Sequence, residues 1–223
     1  PMRETDRFIL RPWCDADAPT LFRWASDPRV GPPANWAPYV SVEHAREALH
    51  AVYCVPDTFA ICAKHPEEFD AAAIACIEGA ADFGDMTRGF SGRAFLRERK
   101  KVASAPLNPI GSIRFVKPDH ANCAIEDNDR EMGIWLAAPF WGFGIATEAT
   151  NAMLRYGFGE RGLSAIWVCI FVENAASART KDKLGFELVR LEEATNPVTG
   201  VVRTQQVSVL TKSSWENMQK ATG

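Results

Sequence analysis

Residues 130–186 constrain the fold of this chain more than any other stretch. They begin R-E-M-G-I-W-L and continue A-A-P-F-W-G-F-G-I-A-T-E-A-T, with a helical run to Glu160. An apolar run, A-I-W-V-C-I-F-V, leads into E-N-A-A-S-A-R-T-K-D-K-L-G-F. The order predicts strand, glycine turn, helix, strand, helix. In the first strand Glu131, Gly133 and Trp135 share one face, and Met132, Ile134 and Leu136 share the other. Ile166 to Val172 is apolar on both faces, so it predicts a strand covered on each side.

The glycine turn, Trp141-Gly142-Phe143-Gly144-Ile145-Ala146-Thr147, follows a strand and opens a helix. Such a turn leaves backbone N–H groups unpaired at the positive end of a helix dipole, which suits a phosphate. A dinucleotide fingerprint requires a third glycine where this chain has Thr147, and a P-loop requires a lysine that is absent. The spacing by itself leaves two readings: a plain tight turn, or an anion site of another kind.

Three segments carry a family resemblance. Gly144 and Ala146 satisfy x-x-x-Gly-x-Gly/Ala, the pyrophosphate loop of the GCN5-related N-acetyltransferases (GNAT). The later E-N-A-A-S-A-R-T-K-D-K-L-G-F resembles the N-x-x-S-x-R-x-x-x-K-L-G-F signature of that superfamily. T-D-R-F-I-L-R-P-W-C-D-A-D-A resembles the opening of its ribosomal-protein-alanine N-acetyltransferase branch. The resemblance implies an α+β fold: a mixed, largely antiparallel twisted sheet, helices on both faces, and a splayed central strand pair. It implies acetyl-CoA as co-substrate and a primary amine as acceptor, with direct attack in a ternary complex. Pantetheine would pair along Ile134, Trp135 and Leu136. The turn from Trp141 and Gly142 through Phe143, Gly144, Ile145, Ala146 and Thr147 would take the pyrophosphate. Asn174, Ser177 and Arg179 would complete the coenzyme site.

Two catalytic roles follow from the same resemblance. Glu131, at the start of the splayed strand, is the first candidate for the base, with Glu192 or Glu193 as alternatives. Many relatives place a thiolate-protonating tyrosine seven residues after the asparagine; here that position is Lys181. Ser177 is the remaining candidate to receive the thiolate. An α-amine, with a pKa of about 7.7–8.0, asks less of a base than a lysine at about 10.4. The expected acceptor is therefore a peptide N-terminus or a small amine of similar pKa. A small-molecule acetyltransferase and a non-catalytic acyl-CoA-binding protein remain as alternatives at this point.

Composition narrows the partners. The chain has 223 residues and a net charge of −3, which disfavours a general nucleic-acid role. No apolar run approaches the roughly 20 residues of a membrane span, and no signal-peptide pattern opens the chain. The six cysteines show no C-x-x-C pair and the four histidines are scattered, so no metal is expected. Reduced thiols in a cytoplasmic monomer or homodimer are the expectation.

The flanks read as one domain over residues 1–223. Arg7 to Arg11 is a strand, and Asp15 is expected to cap a helix to about Ser26. A proline-rich loop carries Trp36 and Tyr39, both candidates for the acceptor wall. Ser41 is expected to cap a second helix to about Tyr53. Strands are expected at Thr58–Ala63 and Ile110–Val116, separated by an insertion at about 64–108 with a basic piece, Arg93 to Val102. A hairpin, Phe186–Glu193 with Thr204–Leu210, turns at Asn196–Gly200. A short last helix, Trp215–Gln219, is expected behind Ser213 or Ser214.

Overall fold

The two strands of the 130–186 stretch sit side by side in the middle of one sheet. The computed structural model describes residues 2–65, 108–196 and 200–222. Its strands are β1 (Arg3–Glu4), β2 (Phe8–Pro12), β3 (Thr58–Ala63), β4 (Pro109–Val116), β5 (Arg130–Leu136), β6 (Ala165–Phe171), β7 (Glu187–Thr195) and β8 (Val202–Thr211). They form an eight-stranded sheet in the order β1-β2-β3-β4-β5-β6-β8-β7. Only β5 and β6 run parallel; every other neighbouring pair is antiparallel.

Period-two patterning assigns the faces. Ile113, Phe115, Met132, Leu136, Ile166, Val168 and Leu210 turn to one side and pack with Ile145, Ala149 and Met153 of α3 (Ile145–Arg155). The same layer holds Leu184, which follows α4 (Ala175–Lys183), and Trp215 and Met218 of α5 (Lys212–Thr222). On the other side, Ala60 and Cys62 pack with Ala18, Leu21 and Ala25 of α1 (Ala18–Ala25) and Ala45 of α2 (Val42–Ala48). Helices thus lie on both faces of the sheet, but β6 is not covered on each side as expected: Trp167, Cys169 and Ile170 are half-buried and Val172 is exposed, because α1 and α2 pack over β3.

Several local expectations hold and others shift. Ser41 caps α2, accepting the His44 N–H at 3.0 Å. Asp15 does not open the first helix. Residues Asp15–Asp17 form a single 3-10 turn, because Arg11 on β2 draws the Asp17 carboxylate inward with two 2.7 Å bonds. The last helix is longer than expected and starts at Lys212. Thr211, not Ser213 or Ser214, caps it by accepting the Ser214 N–H at 3.2 Å. Apart from Lys64, His65 and Asn108, the expected insertion lies outside the described residues, as do positions 197–199 of the Asn196–Gly200 turn.

Candidate active site

The glycine turn is built on two left-handed residues, Gly142 at φ +86° and Gly144 at φ +75°. Any other L-residue there costs roughly 1–2 kcal/mol. Gly144 is the N-cap of α3 and no side chain caps the helix. Its first-turn N–H groups, on Ile145, Ala146 and Thr147, are therefore left without helical acceptors. The turn is braced from across the sheet. Arg7, just before β2, donates from Nε to Glu148 at 2.8 Å and from Nη1 to the Phe143 carbonyl at 3.0 Å. The Arg7 N–H and the Thr5 hydroxyl hold the other Glu148 oxygen at 3.0 and 2.6 Å. Trp141 reaches back, its indole N–H on the Leu136 carbonyl at 2.8 Å. Arg7 escaped the motif reading because its partners lie 136 and 141 residues away.

Next to this turn the sheet opens. The β5–β6 ladder pairs Arg130 with Ile166 and Glu131 with Trp167, and no further residues. From Met132 onward the two parallel strands diverge. The Ala137 N–H donates to Ile110 on the β4 side at 2.9 Å. A trans peptide then points the Leu136 carbonyl the opposite way, into the gap. By alternation, the backbone groups of Ile134 and Leu136 face the gap, whereas those of Trp135 face β4. An extended chain lying in the gap would meet those groups as a neighbouring strand does.

At the closed end of the gap lies Glu131, only 4% exposed. Asn122 holds its carboxylate by the backbone N–H at 2.5 Å and the side-chain amide at 2.7 Å. Burial raises the Glu131 pKa above the ordinary carboxylate value, against the opposing pull of the Asn122 hydrogen bonds, the Arg114 charge and Cys169. Glu192 is a different carboxylate. Burial pushes it up, but Arg190 at 2.7 Å, Gln205 at 2.9 Å and the Arg190 charge outweigh that and leave its pKa lowered.

The face carrying Glu131 is walled by aromatic rings. Trp135 lies 6.0 Å from Trp36, 6.4 Å from Tyr53 and 6.5 Å from Trp13 between centroids; Trp36 and Tyr39 are 5.2 Å apart. Tyr39 and Tyr53 meet at their hydroxyls at 3.5 Å, and burial pushes both phenols above their usual range. The half-buried Arg114 of β4 lies on the same face, beside Gly133 in the ladder. Trp36 and Tyr39 therefore lie together beside Trp135, on the face that carries Glu131. Tyr53, Trp13 and Arg114 were not singled out from the sequence, since their neighbours are distant in the chain.

From the opposite face comes α4. Asn174 caps it by accepting the Ser177 N–H at 3.1 Å. Ser177 is half-buried in the first turn, and Arg179 is exposed. Lys181 is buried, with its ammonium on Asp182 at 2.7 Å, so it does not belong to a solvated lysine face. Ser177 thus sits in the first turn of a helix on the opposite side of the sheet from the aromatic-walled face that carries Glu131. Among the described residues no cluster of three or more His, Cys, Asp or Glu is placed to hold a metal. No described helix is long and apolar enough to cross a membrane.

The sequence profile of the acetyltransferase (GNAT) domain matches residues 7–187. The chain belongs to the GNAT family. It is an acetyl-CoA-dependent N-acetyltransferase, moving the acetyl group to an amine. It is 29% identical to the uncharacterized N-acetyltransferase YoaA of Bacillus subtilis over 187 residues, 84% of this chain and 83% of that protein. It is 36% identical to the putative ribosomal N-acetyltransferase YdaF of Bacillus subtilis over 56 residues, 25% of this chain and 31% of that one. The fold superposes on spermidine N-acetyltransferase from Vibrio cholerae, solved with CoA and spermine. The TM-score is 0.63 at 14% identity, covering 96% of this chain and 100% of that one. The profile match establishes the GNAT family, and the structural likeness the α+β fold.

Proposed function

We propose that this acetyltransferase modifies an α-amine, with Glu131 as the base and Ser177 on the thiol side. The single observation that carries this reading is the placement of Glu131. It is a buried carboxylate of raised pKa at the point where β5–β6 pairing ends, on the aromatic-walled face.

Coenzyme A fits the residues present. Unpaired N–H donors of Ile145, Ala146 and Thr147, beside Gly142, Phe143 and Gly144, suit the pyrophosphate. Ile134 and Leu136 offer strand-edge groups to the pantetheine amides, and Trp135 offers its ring on the acceptor side. Trp141 covers the end of β5. Asn174 holds the first turn of α4 against the gap, and the exposed Arg179 is available to a phosphate of the coenzyme.

The acceptor enters between Trp36, Tyr39 and Trp135. The incoming ammonium gives a proton to Glu131, directly or through one water, and the freed nitrogen lone pair attacks the thioester carbon. A C–N bond forms, the C–S bond breaks as the tetrahedral intermediate collapses, and the second nitrogen proton is lost to solvent. The departing thiolate takes a hydrogen bond from Ser177 at the positive end of α4 and is protonated there or from solvent. Burial raises the affinity of Glu131 for a proton, which suits a group that must collect one from an amine of pKa about 7.7–8.0.

Two peptides test this reading: one with a free N-terminus and no lysine, the other with a blocked terminus and one lysine. Thiol release should be faster with the first. A clear preference for the lysine peptide overturns the α-amine assignment.

A further inference from the structure

We infer that the acceptor is an α-amino acid or a close analogue, a primary amine whose own molecule carries a carboxylate, and that Arg114 is the binding residue for that carboxylate. This rests on the Glu131 reading above and names the substrate class of that site.

Arg114 pairs with Gly133 across the β4–β5 ladder, and Val116 pairs with Glu131. The side chain of Arg114 lies across Gly133: a Cβ at Gly133 would sit 3.7 Å from Nε and 3.8 Å from Cγ. The missing side chain at 133 therefore leaves the guanidinium in the open between Glu131 and Trp135, which occupy the same face of β5. Its charge acts on Tyr39, Tyr53 and Glu131, the groups on the walled face.

Arg114 and Glu131 are diagonal neighbours on adjacent strands, at a Cα separation of about 7–8 Å. Opposite charges so placed normally pair. Here both Glu131 oxygens are taken by Asn122. Among the described residues Arg114 makes no hydrogen bond and no ion pair. A half-buried guanidinium with five donors in a fixed fork is thus held apart from the one carboxylate that could neutralise it. The complement is a second carboxylate, bound bidentately.

The coenzyme cannot supply that anion. Its phosphates belong to the turn beyond Leu136, and three residues of extended strand separate Gly133 from Leu136, about 10 Å. The pantetheine arm carries no charge. The anion must arrive with the acceptor. Glu131 for the amine and Arg114 for the carboxylate match the two ends of a zwitterion, and Trp36, Tyr39 and Trp135 leave an aromatic berth for its side chain. A polyamine brings only positive charge to Arg114. A peptide terminus brings a neutral carbonyl, which makes a weaker bond than a carboxylate.

The test compares L-phenylalanine, L-phenylalaninamide and spermidine as acceptors, with rates expressed per neutral amine. Wild type should prefer phenylalanine over its amide by more than tenfold in kcat/KM and use spermidine poorly. Arg114→Ala should raise KM for phenylalanine at least tenfold and abolish the preference for phenylalanine over its amide, with KM for acetyl-CoA unchanged; Arg114→Lys should recover part of the loss. Equal use of phenylalanine and its amide, or a preference that survives Arg114→Ala, overturns the inference. Calorimetry gives a readout without turnover. N-acetyl-L-phenylalanine should bind the CoA complex of wild type more tightly than its amide and lose that advantage in Arg114→Ala; absence of the advantage in wild type also overturns it. Acetylation of amines with no carboxylate preference removes this inference alone. Loss of the pH-dependent Glu131→Gln deficit, with Arg114-dependent preference for phenylalanine intact, removes the Glu131 mechanism and leaves the Arg114 carboxylate site standing.

Discussion

Replacing Gly144 by aspartate and by asparagine separates charge from backbone strain at the coenzyme turn. Gly144 sits at φ +75°, and a Cβ there meets only an Arg7 Nη atom, at 3.7 Å. The site has space, so the steric cost is conformational. Asp and Asn both tolerate this region better than other side chains. The two variants share shape and strain and differ by one charge. A carboxylate about 5 Å from a phosphate charge repels it by about 3 kcal/mol at an effective dielectric of 20, and by under 1 kcal/mol in bulk water. The turn is at the surface, between these limits, and pyrophosphate carries more than one charge. The expected gap is about 1.5–3 kcal/mol, or roughly 10–150-fold in Kd. Arg7 partly offsets this: it lies close enough to pair with the introduced carboxylate, which also holds the fold together. Calorimetric titration with coenzyme A, at about 0.05 and 0.3 M salt, should show Gly144→Asp weaker than Gly144→Asn, with the gap shrinking at high salt. A single cooperative thermal transition, at a similar Tm in the two variants, shows that the fold survives. Equal coenzyme affinity for the two folded variants would refute the argument that phosphate sits at this turn.

Glu131→Gln should lower kcat/KM most at low pH. Without the base, the rate follows the neutral fraction of the amine, about 1–2% at pH 6 and over 90% at pH 9 for a pKa of about 7.7–8.0, so the deficit should fall by more than tenfold across that range. A pH-independent deficit would assign Glu131 a structural role. The same variant makes a stability prediction. The folded state raises the Glu131 pKa, so its contribution is present at acid pH and lost as pH rises through the folded value. The Tm difference, Glu131→Gln minus wild type, should therefore increase from pH 4 to pH 7; a flat difference would contradict the burial argument. Ser177→Ala should reduce kcat with coenzyme affinity unchanged. The loss should sit near or below the low end of the roughly 10²–10⁴-fold typical of acid catalysis, because a thiolate leaves readily. Wild-type turnover in stopped-flow thiol release would remove Ser177 from the chemistry.

The local pattern of residues 130–186 was sufficient for the strand, turn, helix, strand, helix order, because alternation in β5 and the glycines of the turn act over a few residues. Ser41 could be read as a cap for the same reason: the side chain and the N–H it accepts are three residues apart. The Asp15 expectation failed because Arg11, six residues before Asp17 and at the end of the preceding strand, selects Asp17 instead. The site follows the same division. Glu131, Trp36 and Tyr39 were legible as candidates from position and resemblance. The burial that raises the Glu131 pKa, the release of β5 from β6 after one pair of ladder steps, and the brace from Arg7 to the turn were not. Each depends on contacts between segments far apart in the chain, which only the closing of the sheet brings together. The isolation of Arg114 is of this kind: its charge is written in the sequence, but whether Glu131 neutralises it was decided by Asn122, a loop residue that arrives from outside the strand.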